Sequence, residues 1–232
     1  MPKLFPFTDA KAAVDYAIQV SLIVFSILAA TWVGHCNEQE RDAEKLVAYL
    51  TATREEVANE LERLGLNIYD AKKDLQSIQR ALDLGEHDDT DSTYALVGQF
   101  LQVNMRGVFR TFAPTTWDAM IEAGDSELIR DLNVRQQIAG SFAFRNTTIR
   151  DDLNHWDAEN KRVYDMLTPY IDPAGIKNMD FQMDKILKDP AGFREAAQPL
   201  MLRLLRQCHN RIFHLEVSQG QFEILQEMLE EM

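Results

Sequence analysis

Two apolar patterns follow one another along the chain. From Tyr16 to Cys36 (YAIQVSLIVFSILAATWVGHC), 21 successive residues carry no charge, and the polar members Gln19, Ser21, Ser26, Thr31 and His35 are scattered rather than striped. At 1.5 Å per residue a helix of that length spans about 31 Å, the thickness of a bilayer's hydrocarbon core. A core helix of a water-soluble domain keeps a polar stripe, and none is present here. Trp32 and His35 suit the membrane–water interface. A cleaved signal would have a basic start, a shorter apolar run and small residues before the cut. Lys3 and Lys11 are instead offset by Asp9 and Asp15, and His35 directly before Cys36 spoils the lipoprotein-like VGHC. The pattern predicts a short tail over 1–15 and a retained transmembrane helix over 16–36, with the lipid bilayer as its partner.

The second pattern is a stripe. Leu46, Leu50, Thr53, Val57, Leu61, Leu64, Ile68, Ala71, Leu75, Ile78 and Leu82 recur in steps of three and four, with a four–four step from Val57 to Leu61. This is the helical period of bundles and coiled coils, and it predicts a long stalk helix continuing from the span. Gly65 weakens it by about 1 kcal/mol relative to alanine. LGEHDDTDS ends it, with Gly85 as C-terminal cap and Asp91 or Ser92 as the next N-cap.

Further helices are predicted over about 93–108 (Tyr94, Val97, Leu101, Met105), in a short piece capped by Thr115 or Thr116 and closed by Gly124, and from a turn at Ser126. A longer helix covers about 133–167 (Ile138, Phe142, Ile149, Leu153, Trp156, Val163) and ends in the YIDPAGIKN turn. A short helix is expected near 181–187. Asp189-Pro190 then caps a last helix carrying Met201, Leu205, Cys208, Ile212, Leu215, Phe222 and Leu229. Period-two alternation is nowhere sustained. The fold class is all-α: an N-terminal transmembrane helix, a long stalk and a helical-bundle domain over 37–232.

Charge narrows the partners. Residues 1–36 are neutral in side-chain charge, so the formal net charge of −13 lies in residues 37–232. Phosphate backbones would repel such a domain, which argues against nucleic acid. Cys36 and Cys208 make no disulfide framework. Lys3 and Lys11 on one side of the span and Arg41, Lys45 and Arg54 on the other do not fix its orientation.

Three stretches carry a resemblance. YAI…LIVFSILAA…NEQER…YL, the segment TTWDAMIEAGDSELIRDLNVRQQI (Thr116, Trp117, Met120, Ile121, Gly124, Leu128, Ile129, Arg135) and ILKDPAGFREAA resemble a family of uncharacterised bacterial single-pass membrane proteins, defined only as a domain of unknown function. Gln19-Val20 replaces a Gly-Glu of that pattern, and Pro199 stands inside the last helix. The resemblance implies a bacterial inner-membrane anchor with the helical domain outside the cytoplasm. It carries over no functional residue.

Candidate chemistry is sparse. Asp152 and His155 share a helix face, but a metal site in a bundle needs a second such pair and two facing carboxylates, so a solvated ion pair is expected. His209 and His214 lie about 140° apart around the helix. The acidic run Asp83, Glu86, His87, Asp88, Asp89, Asp91 lacks the pattern of a calcium loop. Cys208 falls on the apolar face with Leu205 and Ile212, as an inert core residue. Arg203, Arg206, Arg211 and His214 gather on one side of the last helix; Glu55, Glu56, Glu60 and Glu62 are their expected salt-bridge partners, with anion binding as the alternative. No catalytic constellation, metal or cofactor is called for. The interruption carrying Phe112, Trp117, Met120 and Ile121 either caps the bundle or forms a contact surface for a protein partner. The function expected is that of a membrane-anchored helical interaction or scaffold protein without catalytic activity. The alternative is an extracytoplasmic sensor domain binding a small ligand between helices, which the short N-terminal tail disfavours.

Overall fold

The computed structural model describes residues 10–87, 89–105, 115–172 and 186–232. It divides into two units, Met1–Thr51 and Ala52–Met232, and the division falls inside the first helix. All long elements are helical: α1 (Ala10–Gly85), α2 (Thr90–Met105), α3 (Thr116–Ala123), α4 (Leu132–Phe144), α5 (Arg150–Leu167) and α6 (Pro190–Glu230). A π-turn, Arg145–Ile149, joins α4 to α5. The described residues hold no strand; Ile171 and Leu187 form one isolated bridge, with Lys188 N–H donating to the Tyr170 carbonyl at 2.9 Å. The all-α expectation holds. The YIDPAGIKN turn beyond Asp172 and most of the expected 181–187 helix lie outside the described residues.

In the first unit, every large apolar side chain described between Ile18 and Val33 is exposed, including Leu22, Ile23, Phe25, Ile27, Leu28 and Trp32. This stretch is long and apolar enough to cross a membrane, and none of its most apolar window is buried. Its hydroxyls are satisfied within the helix: Ser26 Oγ donates to the Leu22 carbonyl at 2.8 Å, and Thr31 Oγ1 to those of Ile27 and Leu28 at 2.9 Å. Backbone-returning hydroxyls need no water.

The second unit is a bundle built on two heptad seams. On α1 the buried positions Thr53, Val57, Glu60, Leu64, Asn67, Ala71, Asp74, Ile78 and Ala81 alternate four and three. On α6, Ala197, Met201, Leu204, Cys208, Arg211, Leu215, Ser218, Phe222, Leu225 and Leu229 do the same. Sustained alternation of this kind is knobs-into-holes spacing. The helices run antiparallel. Arg54 Nη2 donates to the Leu229 carbonyl at 2.6 Å, Cys208 Sγ to the Ala71 carbonyl at 3.2 Å, and Arg194 Nη1 to the His87 carbonyl at 3.3 Å. The α4–α5 arm packs along α6, with Phe142 edge-on to Phe222 at 5.3 Å and Gln137 Nε2 donating to the Gln221 carbonyl at 3.0 Å. At the far end α2 adds a fourth helix, where Phe100 meets Phe193 edge-on at 6.1 Å within an apolar cluster and stacks on the partly exposed Tyr164 at 6.5 Å.

Local signals set the boundaries. α1 ends at Gly85 as expected. Asp89, rather than Asp91 or Ser92, caps α2: its carboxylate accepts from Ser92 N–H and Ser92 Oγ at 2.7 Å. Asp189 caps α6 ahead of Pro190, and Gly192 packs where a Cβ would lie 2.8 Å from the Tyr170 ring.

Candidate functional site

The structure's unusual chemistry lies inside the bundle. Thr53, Glu60, Asn67 and Asp74 occupy one heptad position of α1 at intervals of seven residues, and all are buried. Interval seven returns to the same side of a supercoiled helix, so these side chains form a polar lane within the core. Glu60 meets Arg145 Nη1 at 3.3 Å and also pairs with Arg63. Asp74 Oδ2 meets Arg211 Nη1 at 3.2 Å. Both cross-helix pairs are almost wholly enclosed, the Asp74–Arg211 side chains being 2% and 1% exposed.

Each guanidinium also lies over an aromatic ring, Arg145 at 5.2 Å from the Phe142 centroid and Arg211 at 5.0 Å from that of Trp156. Negative ring faces add attraction to enclosed cations. Arg145 opens the π-turn, and the four–four spacing Arg145–Ile149–Leu153 keeps all three buried. A wider turn absorbs the extra residue and holds the arm in phase with α6. Arg145 Nη2 also donates to Asn146 Oδ1 at 2.8 Å.

The ion pairs differ from those expected. Arg203 pairs with Glu159 at 2.7 Å, Arg211 with Asp74, and His214 with Asp152, so Glu55, Glu56, Glu60 and Glu62 are not their partners. Asp152 turns to His214 on α6 and leaves His155 exposed, which replaces the expected Asp152–His155 pair. Among the described residues no group of three or more His, Cys, Asp or Glu is placed to hold a metal ion. Cys208 is fully buried on its seam.

α3 is bolted down by its N-terminus. Thr115 and Asp118 form a capping box, Gly124 closes the helix at φ 74°, and Glu56 of α1 accepts from Thr116 N–H at 2.9 Å and Thr116 Oγ1 at 2.7 Å. A carboxylate at a helix N-terminus satisfies free N–H groups and complements the macrodipole. Of the candidate contact residues, Met120 is fully buried, Trp117 is 9% exposed and Ile121 is 54% exposed; Phe112 lies outside the described residues. Trp117 and Met120 are thus the foot of α3 in the bundle, and Ile121 is its outward apolar residue.

No match exists among protein-family models, curated proteins or solved structures.

Glu60, Asp74 and Arg145 were missed as site residues because the expected stripe follows Leu61 and Leu75, one residue beyond Glu60 and Asp74. The four–four step from Val57 to Leu61 was the available signal: taking Glu60, Asn67, Asp74 and Ala81 in place of Leu61, Ile68, Leu75 and Leu82 restores an unbroken four–three alternation.

Proposed function

We propose that this protein is a membrane-anchored helical interaction module, acting by protein contact rather than catalysis. The observation that carries it is the exposed apolar surface between Ile18 and Val33, beside a bundle whose own core is formed without it. An uncovered apolar surface of that extent is unfavourable in water, and a bilayer covers it at the matching length. Ser26 and Thr31, bonded back to their own helix, lower the cost of immersion. The resemblance to bacterial single-pass proteins supports an inner-membrane position with the helical domain outside the cytoplasm. Within the bundle, enclosed ion pairs hold helices in one register, as polar core positions do in coiled coils, which suits a rigid platform. Ile121 on the bolted α3 is an outward contact residue of that platform.

Alkaline carbonate extraction of membranes tests the anchor. Full-length chain stays in the pellet, and N-terminal sequencing finds no start between about residues 30 and 38. A mature chain beginning there, or release into the supernatant, overturns the reading.

A further inference from the structure

Within the bundle, α1 carries two seams side by side. The occupied one runs through Thr53, Val57, Glu60, Leu64, Asn67, Ala71, Asp74, Ile78 and Ala81, all buried. Glu60, Asn67, Asp74 and Ala81 are each followed directly by a large apolar residue: Leu61, Ile68, Leu75 and Leu82. Ile68 is buried and the three leucines are half-buried, with Leu75 and Leu82 packed against the apolar cluster around Phe100. Val57, Leu64, Ala71 and Ile78 belong to both seams. Successive residues lie about 100° apart around a helix, so passing from one seam to the other takes a turn of about half that, 50°.

α6 repeats the doubling where it meets Asp74. Enclosed Leu204 and Arg211 are followed by Leu205 and Ile212, half-buried against the same cluster. Farther along, Ser218 and Leu225 are followed by Gln219 and Gln226. An apolar second seam is therefore complete on both helices only at the Asp74–Arg211 end. There the occupied seam is held by the Asp74–Arg211 pair and by Trp156 under the guanidinium. An enclosed ion pair gains little over apolar packing once its lost hydration is counted. The leucine seam is thus a close competitor, and a core with two close packings is bistable.

We infer that α1 has a second seating on α6, turned by about 50°. In it Leu61, Ile68, Leu75 and Leu82 move inward, while Glu60, Asn67 and Asp74 move to the water-facing edge of the bundle. α6 answers by exchanging Arg211 for Ile212, and Arg145 keeps the Asn146 acceptor beside it. The turn reaches α3. Glu56 stands four residues before Glu60, on the lane's side of α1, and it holds the α3 N-terminus through Thr116 N–H and Oγ1. With the lane turned out, that carboxylate swings away from Thr116, and Trp117 and Met120 lose their bolt. A partner that takes up those two residues draws the chain into the second seating. This last step gives the regulation of the α3 contact site and rests on the interaction reading; the two seatings do not.

The test uses the full chain in detergent. Spin labels are placed at exposed Gln76 and Arg206 after Cys36→Ser and Cys208→Ser, and the Met120 methyl signal is followed separately by NMR. Asp74→Ala strands Arg211 in the first seating, where it is enclosed, but not in the second, where water reaches it. It should raise the second population about tenfold or more, seen as a second label distance and a second Met120 signal. Adding Leu75→Gln and Ile212→Gln removes apolar residues that only the second seating fully encloses, and should return both readouts to those of wild type. Asp74→Asn, a gentler change, should act in the same direction to a smaller extent and serves if Asp74→Ala does not fold. A single label distance in both Asp74 variants overturns the inference. So does a further loss of the wild-type signals on adding Leu75→Gln and Ile212→Gln, which is what plain destabilisation gives. Neither readout involves a partner or a bilayer, so the interaction reading and the anchor can each fail while the two seatings stand.

Discussion

Between Ile18 and Val33, α1 turns large apolar side chains outward; between Thr53 and Ala81 it turns Glu60, Asn67 and Asp74 inward. Both stretches invert the ordinary partition of side chains, in opposite directions. In the first, each Leu, Ile, Phe or Val at a helix centre would gain about 0.3–0.6 kcal/mol on entering a bilayer, and the Ser26 and Thr31 hydroxyls have already found carbonyls. In the second, each enclosed carboxylate has a guanidinium from another helix, backed by an aromatic face. Exposure and burial follow from which surroundings satisfy a side chain, so one continuous helix can obey two opposite patterns.

The largest effect is expected from breaking an enclosed pair. Asp74→Ala leaves Arg211 charged at 1% exposure, and such uncompensated charges cost about 3–5 kcal/mol. Chemical denaturation of the full chain in detergent should show that loss. The double variant Asp74→Leu with Arg211→Met should recover most of it, since apolar replacements of enclosed pairs are often neutral or stabilising. If the single variant unfolds like wild type, the lane does not hold the bundle.

The reverse experiment places a charge where the helix now carries none. Leu28→Arg puts a guanidinium near the centre of the uncharged segment, at a cost of about 2.5–3.5 kcal/mol for insertion. The variant should shift from the carbonate pellet toward the soluble or aggregated fraction. Equal retention would mean that the segment is not in a bilayer.

A smaller effect is expected one turn from Arg211. Cys208 donates to the Ala71 carbonyl from a fully buried position. Cys208→Ser keeps a donor there in a slightly smaller side chain and should cost about 1 kcal/mol, far less than Cys208→Arg, which adds an unpaired buried charge. Comparable melting temperatures for the two variants would contradict close packing of the seam.

The all-α class, the long first helix, the Thr115 and Gly124 boundaries and the Asp189-Pro190 start were legible because each rests on local chemistry. Periodicity also placed Cys208, Phe222 and Leu229 on the core face of α6. The polar lane was not read, because hydrophobicity was the criterion for burial and Leu61 and Leu75 stand beside Glu60 and Asp74. Burying a carboxylate depends on a partner 85 or 137 residues away, which helical period alone does not reveal. The π-turn was hidden for a related reason: its extra residue is absorbed without glycine or proline. On α3, capping residues announced a short helix, but only the packed structure separates buried Trp117 and Met120 from outward Ile121.

Asp89 offers the smallest effect and a control for the comparison, being an acid that is paired yet fully exposed. The Ser92 hydroxyl, and after it the Ser92 backbone N–H, hold its carboxyl below the ordinary aspartate value. A depressed folded value means that its contribution is present above the unfolded value near pH 4 and is lost as pH falls through the folded one. Between pH 5 and 8, the share of stability from Asp89 should therefore be constant, and it should disappear only on acidification below about pH 4. Ser92→Ala removes the leading cause and should move the carboxyl titration, followed by NMR, upward toward the ordinary value. The remaining backbone bond keeps part of the shift. A titration unchanged by that substitution would show that the α2 cap does not form as described. Because water screens Asp89 on every side, its loss should leave the bundle folded, where loss of the enclosed Asp74 should not leave its stability intact.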